Sequence, residues 1–221
     1  RRVGTYPNLL RPTTFNEKVL YRSLFDRRPI WTQLQDKYTA RDYVRARIGE
    51  QALPRLYWVT RDPADIPFDE LPQKFVVKPN HGSGWIVLVP DKAQVNVQEL
   101  IETCLGWLRQ NYYYYFRERH YKPIVPCVMV EEYIDDGTGL AAREYKLHVF
   151  GGRVEMISVM HRGSYDIDRY RRPDDVTGPW ENIRGSNNSA QDLDPPPHIA
   201  RMIDYAEALG KGLGYIRVDL Y

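Results

Sequence analysis

Lys78 ends the apolar run Phe75-Val76-Val77 and is followed by Pro79-Asn80-His81-Gly82-Ser83-Gly84. Glycines let backbone N–H groups turn inward around phosphate oxygens, and a lysine at a strand end adds a point charge, so the segment has the makings of a phosphate cradle. It is not a Walker A loop, because no Gly-Lys-Ser/Thr follows, and two glycines beside a hairpin serve equally as turn residues. A second group is Val130-Glu131-Glu132-Tyr133-Ile134, an apolar strand ending in two carboxylates. Carboxylates and free backbone groups at a strand end can pair with an adenine edge, and an exposed strand terminus would look the same. From Glu144, period-two alternation puts Glu144, Lys146 and His148 on one face, where Glu144 could accept from ribose hydroxyls. In Tyr215-Ile216-Arg217-Val218-Asp219-Leu220-Tyr221 the same alternation points Arg217 and Asp219 together. Asp219 is a suitable oxygen ligand for Mg²⁺ and Arg217 could neutralise a developing oxyanion; a plain same-face salt bridge fits as well.

The elements that must position these groups are legible in outline. Thr14 and Glu17 have capping-box spacing ahead of Val19, Leu20, Leu24 and Phe25, which predicts a short amphipathic helix ending before Pro29. A second helical pattern runs from Trp31 through Leu34, Tyr38, Tyr43, Val44 and Ile48 to Gly49, with Asp36, Lys37, Arg41 and Arg45 on its other face. Leu56 to Val59, Phe75 to Lys78, Trp85 to Val89, Pro126 to Ile134, Glu144 to Phe150, Arg153 to Met160 and Tyr215 to Tyr221 read as strands. Gly151-Gly152 has two-residue hairpin length, so the sheets are expected to be mainly antiparallel. Long helices are predicted from the Asn96 cap through Leu108 and from Ile199 to Leu209, ended by Gly210. Arg162 to Pro197 is polar and proline-bounded, which suggests a long surface loop, either a substrate-facing lid or a linker. The fold class expected is α+β.

Composition narrows the function. The 221 residues are 43% hydrophobic and 13% aromatic, which excludes intrinsic disorder. No apolar run approaches the roughly 18–20 residues of a membrane span. A net charge of +2, from 31 basic and 29 acidic residues, is too balanced for binding driven by nucleic-acid counterion release. Tyr112 to Tyr115 with Arg117, Arg119 and His120 could form a stacking and phosphate surface or simply packing anchors, and no nucleic-acid partner is expected. Cys104 and Cys127 offer neither a disulfide framework nor metal-ligand spacing, so a reducing compartment, the cytoplasm, is expected.

Taken in order, Asp36-Lys37, Phe75 to Gly84, Val130 to Ile134, Glu144 and Arg217-Val218-Asp219 resemble the ATP-grasp superfamily. Phe15-Asn16-Glu17-Lys18, Asp36-Lys37-Tyr38 and Lys78 to Gly84 look more narrowly like its TupA-like group, associated with teichuronic acid and other surface polysaccharides. The resemblance implies two α/β subdomains with mainly antiparallel sheets sandwiching the nucleotide. It divides the chain into an N-terminal helical region at residues 1–60, a small subdomain with the glycine-rich loop at 61–128 and a C-terminal subdomain at 129–221. The cofactors implied are ATP and Mg²⁺. Lys37 and Lys78 would meet the phosphates, and His81, Gly82, Ser83 and Gly84 would form a flexible cover. Glu131 and the backbone of Glu132 and Ile134 would meet adenine, with Tyr133 packed near the base. Glu144 would hold ribose, Asp219 would bind Mg²⁺, and Arg217 and Lys78 would be catalytic.

The activity so implied is an ATP- and Mg²⁺-dependent ligase that activates a carboxylate as an acyl phosphate and joins it to an amine or another nucleophile, in bacterial surface-polysaccharide synthesis. Its partners would be a nucleotide and a carboxylate-bearing small molecule or glycan precursor, with possible association with polysaccharide-assembly proteins. A sugar or polyol kinase is the alternative on the same scaffold. A non-catalytic partner in glycan assembly is another, motivated by the Tyr112 to Tyr115 and Trp180 aromatics. The superfamily normally supplies further Glu and Asn metal ligands after the strand bearing Asp219. Their absence here leads to the expectation that the sequence is a piece of a longer chain.

Overall fold

Local signals set the first helix as expected: in α1 (Phe15–Phe25) the Thr14 side chain accepts from Glu17 N–H while the Glu17 carboxylate accepts from Thr14 N–H, a complete capping box. The structure, a computed structural model, describes residues 6–135, 137, 142–160, 167–172, 174–175, 180, 183 and 195–221.

The single helix expected from Trp31 to Ile48 is two: α2 (Ile30–Gln35) and α3 (Ala40–Ile48). The break falls at Asp36, which is extended at φ −82°, ψ 107°. Its carboxylate accepts from Tyr38 N–H at 2.9 Å and Thr39 N–H at 3.4 Å. An aspartate that captures backbone donors two and three residues ahead competes with helix continuation. The apolar periodicity runs through the break because each half buries an aromatic, Trp31 in α2 and Tyr43 in α3.

The chain divides into two units, the first comprising residues 1–43 and 54–133 and the second 44–53 and 134–221. In the first, β1 (Leu56–Thr60), β2 (Phe75–Pro79), β3 (Val87–Val89) and β4 (Val128–Glu132) form an antiparallel sheet in the order β1-β4-β2-β3. β4 is hydrogen-bonded to both β1 and β2, which is why residues 54–60 and 129–133 group with residues 61–128. α4 (Val97–Leu108), capped by Asn96 as expected, covers one face and buries Leu100, Cys104 and Trp107 against Phe75, Val77, Val128 and Val130. By alternation Val76, Lys78, Met129 and Glu131 take the other face. Burial pushes both cysteine thiols up to about 11, so they serve as small apolar side chains.

After the four-residue α5 (Tyr113–Phe116) and the crossing into the second unit come β5 (Tyr145–Phe150), β6 (Arg153–Met160), β7 (Ile167–Arg171), α6 (Ile199–Gly210) and β8 (Tyr215–Leu220). The sheet is antiparallel in the order β7-β6-β5-β8. Gly151 and Gly152 close the β5–β6 hairpin with φ of 61° and 91°, the pair of positive values that a two-residue turn matched to strand twist requires. α6 packs on β5, β6 and β8 and buries Met202, Ile203, Ala206 and Leu209.

β7 corrects the expectation of a continuous loop from Arg162 to Pro197. Its charge run hid the pattern, since the residues facing the core are Asp168 and Tyr170, both 0% exposed. Most of that segment, and with it the expected lid, lies outside the described residues. Trp180 is 5% exposed and its ring centroid lies 5.2 Å from that of Tyr170, so it is a core residue rather than an open stacking surface. Tyr112 is likewise buried, stacked on Phe116, while Tyr114 and Tyr115 are exposed.

Candidate functional site

The break at Asp36 releases Lys37 from any helix. Lys37 N–H donates to Asn80 O at 3.0 Å and its ammonium donates to Gly82 O, which ties the residue to the glycine loop 45 positions away. Asn80 holds this junction together with every polar atom satisfied. Its amide donates to Asp36 Oδ1 at 2.9 Å and Val125 O at 3.0 Å, and its Oδ1 accepts from Cys127 N–H at 2.9 Å. Burial, and then the neighbouring Lys78 ammonium, push the Lys37 ammonium down to about 8 from an ordinary 10.5.

Lys78 projects from β2 on the face away from α4. β4 pairs with β2 so that Glu131 lies opposite Val76, one diagonal step from Lys78, and the Lys78 ammonium pairs with Glu131 Oε2. The other oxygen, Glu131 Oε1, accepts from Arg41 Nη1 at 2.9 Å, and Arg41 Nη2 donates to Pro54 O at 2.8 Å. Arg41 was legible in sequence only as a polar residue on a helix face; it is 6% exposed and joins the site through its partner. Three cations, Lys37, Arg41 and Lys78, thus share one locale with two carboxylates, Asp36 and Glu131.

The remaining first-unit residues are placed as follows. The His81 ring is 1% exposed, lies near Asn80 Oδ1 on one side and meets the Trp107 and Gln110 carbonyls at 3.1 and 3.0 Å on the other. Its side chain anchors the loop base, and the loop's open part is Ser83 and Gly84, both exposed. Gly82 has no room for a side chain, since a Cβ there would run into the Trp85 ring. Glu132 N–H donates to Arg55 O at 2.8 Å, and Tyr133 has the Lys74 ammonium 6.0 Å from its ring centroid.

In the second unit, Ile134 O accepts from Ala142 N–H at 3.0 Å. Alternation placed Lys146 with His148 and Arg217 with Asp219, and strand register adds what it did not give: Lys146 lies opposite Asp219 and His148 opposite Arg217, on the face away from α6. Arg217 grips Asp219 through two bonds of 2.7 Å, and Lys146 pairs with Glu144 at 3.2 Å. His148 was read only as a face residue, yet it bridges Tyr215 Oη at 3.0 Å and Ser158 Oγ at 3.1 Å. Burial, and then the nearby Arg217 charge, push its imidazole down to about 4, so it is neutral at physiological pH.

A family model described as TupA-like ATPgrasp matches residues 17–221. The chain belongs to the TupA-like ATP-grasp family. No curated protein matches it. Among solved structures, D-alanine–D-alanine ligase from Bacillus anthracis complexed with ATP is 20% identical at a TM-score of 0.47, over 84% of this chain and 50% of that one. The ATP-grasp ligase PsnB complexed with a minimal precursor is 13% identical at a TM-score of 0.43, over 86% and 49%. PsnB with Mg and ADP is 16% identical at 0.43, over 86% and 45%. The TupA-like chain therefore spans about half the length of the solved structures it resembles.

The nucleotide implied by a TupA-like ATP-grasp protein fits the first unit. A buried cluster with one more cation than carboxylate, in which Arg41 Nε is buried without a hydrogen bond, is short of one anion. Mg²⁺ does not find a complete site among the described residues. Among the described residues no three His, Cys, Asp or Glu side chains are grouped to hold a metal, and both Asp219 oxygens are engaged by Arg217. A cation there would depend on phosphate oxygens and water for the rest of its shell. Among the described residues no helix is long and apolar enough to cross a membrane.

Proposed function

We propose that this chain carries the nucleotide site of an ATP-dependent ligase that activates a carboxylate as an acyl phosphate and joins it to an amine or another nucleophile. The observation that carries this is the buried cluster of Lys37, Lys78 and Arg41 against Asp36 and Glu131, one anion short of neutrality. Bound ATP would supply the phosphoryl group that activates the acid. Lys37 and Lys78 would hold the phosphates, with the open Ser83-Gly84 tip offering backbone donors. Glu131, held in one rotamer by Arg41 and Lys78, would present its carboxylate beside the base, next to Glu132, Tyr133 and Ile134. In the second unit Glu144 would accept from the ribose and Asp219 would meet the metal-phosphate end. Arg217 would stabilise charge as the acyl phosphate forms and collapses. A role in bacterial surface-polysaccharide synthesis would follow from the TupA-like family assignment, and a cytoplasmic location from the free thiols of Cys104 and Cys127.

Calorimetric titration with a non-hydrolysable ATP analogue, with and without Mg²⁺, tests the site. Lys78→Ala should raise Kd about 10- to 100-fold, the worth of a charge-assisted bond. Unchanged affinity would remove Lys78 from the nucleotide site. Trapping with hydroxylamine then separates a ligase, which yields a hydroxamate of its acid, from a kinase, which does not.

The depressed Lys37 predicts a pH effect with a definite sign. Between about 8 and 10.5 the unfolded chain holds this proton and the fold does not, so the Lys37 contribution to stability rises with pH across that window. Phosphate binding works the other way, because an anion favours the charged ammonium. Affinity for the ATP analogue should fall as pH passes about 8, and binding at pH near 8.5 should take up a proton. Titrations in buffers of different ionisation enthalpy measure that uptake; observed heats that are the same in every buffer would contradict it.

A further inference from the structure

Helix α1, in the first unit, is built inside out. Val19, Arg22, Ser23 and Asp26 recur at helical spacing and are half-buried, so they face the body of the unit, and the Arg22 guanidinium lies 4.4 Å from the Trp31 ring centroid. The opposite side carries Leu20, Tyr21, Leu24 and Phe25, all exposed, and no residue of the helix is buried. A surface helix ordinarily turns such a stripe toward the core. The stripe also has an apolar neighbour. Both α1 and α5 pack on the 3₁₀ turn Arg119–Tyr121, and Asp26, Arg22, Arg27 and Arg119 all act electrostatically on the His120 ring in that turn. Tyr114, Tyr115 and Phe116 of α5 are 60–62% exposed. Scattered apolar side chains on a surface need no explanation, but seven on adjoining elements mark a contact surface. Charge collects in the same place. Residues 15–28 and 112–122 hold seven Lys or Arg against three Asp or Glu, a net +4, whereas the whole chain carries only +2.

We propose that α1 and the aromatic segment of α5 form a docking patch for a bilayer surface rich in anionic lipid. The charge selects this occupant. Two copies of the patch face to face would set like charges against each other, which disfavours self-association. A polyanion without an apolar phase would satisfy the arginines and leave Leu20, Leu24 and Phe25 in water. A bilayer interface takes both kinds of group: leucine and phenylalanine enter the acyl boundary, tyrosine rings sit at headgroup depth, and Arg and Lys meet lipid phosphates. Arg27 and Arg119 are exposed and close to the stripe, in position for that contact. The attachment is peripheral, since among the described residues no helix is long and apolar enough to cross a membrane. It is independent of the ligase reading, because the patch shares no residue with the nucleotide cluster.

Co-sedimentation with sucrose-loaded vesicles tests the patch, one set made of equal parts phosphatidylglycerol and phosphatidylcholine and one of phosphatidylcholine alone. The chain should partition into the mixed vesicles about tenfold or more above the neutral ones, and raising salt from about 0.1 to about 0.5 M should remove most of that difference. Arg27→Gln and Arg119→Gln should each weaken partition about fivefold, the worth of one basic residue at such a surface. Leu24→Ser combined with Phe25→Ser should weaken it at least about tenfold. Thermal unfolding and affinity for the ATP analogue should change little in that double variant, because both side chains are exposed and lie outside the nucleotide cluster. Failure to sediment with the mixed vesicles, or equal binding to both sets, overturns the proposal. Full binding by the Leu24→Ser, Phe25→Ser variant also overturns it, since charge alone would then account for the attraction. Sedimentation equilibrium without lipid addresses the other occupant: a dimer that dissociates in the same double variant assigns the stripe to a second copy and overturns the lipid assignment.

Discussion

Arg41→Met is expected to lower the stability of the first unit by about 3–5 kcal/mol, the cost of removing one partner of a buried ion pair. Arg41 is 6% exposed and Glu131 3%. Once the guanidinium is gone, Glu131 keeps only Lys78, and the Pro54 carbonyl loses its donor. The penalty is chiefly that of an undercompensated buried carboxylate, so it should shrink when that charge is removed as well. Arg41→Met combined with Glu131→Gln should recover at least half of the loss. Urea unfolding of the two single variants and the double variant gives the coupling directly. A single-variant loss under about 1 kcal/mol, or strict additivity, would mean that the pair does not organise this site.

Arg217→Ala should separate chemistry from folding. Its pair with Asp219 is 47% and 30% exposed, so the loss of stability should stay within about 1 kcal/mol. The expected effect on turnover is far larger, about 10²–10³ in kcat, the usual cost of removing one preorganised donor to a developing oxyanion. Affinity for the ATP analogue should change little, because a group that acts mainly on the transition state contributes little to ground-state binding. Arg217→Lys should recover only part of the rate, since an ammonium cannot reproduce the two-pronged geometry now seen on Asp219. Substrate-dependent ADP release, measured beside thermal unfolding, decides the matter. Equal kcat in wild type and Arg217→Ala would leave the pair as an ordinary surface salt bridge.

What the amino-acid sequence determined by itself was local. The Thr14–Glu17 capping box, the Asn96 cap, the Gly151-Gly152 turn and the apolar stripes of α4 and α6 act over a few residues, where spacing alone decides which groups meet. Period-two alternation likewise sufficed to put Glu144, Lys146 and His148 on one face and Arg217 with Asp219 on another strand's polar side. It could not say that β5 and β8 are neighbours, and only that pairing sets Lys146 opposite Asp219 and His148 opposite Arg217.

The rest belonged to the tertiary structure because its partners are far apart in the chain. Asp36 breaks the helix using its own turn donors and an amide from Asn80, 44 residues away. Arg41 finds Glu131 across 90 residues, through a sheet order that sets β4 between β1 and β2. His81 and Trp180 look like ligand-facing groups by type, and burial by surrounding elements makes them anchors. β7 escaped notice because one of its two buried residues is Asp168. Hydrophobic patterning reports which side chains shun water, but a buried charge is tolerated only where distant polar partners converge, and that convergence is a property of packing.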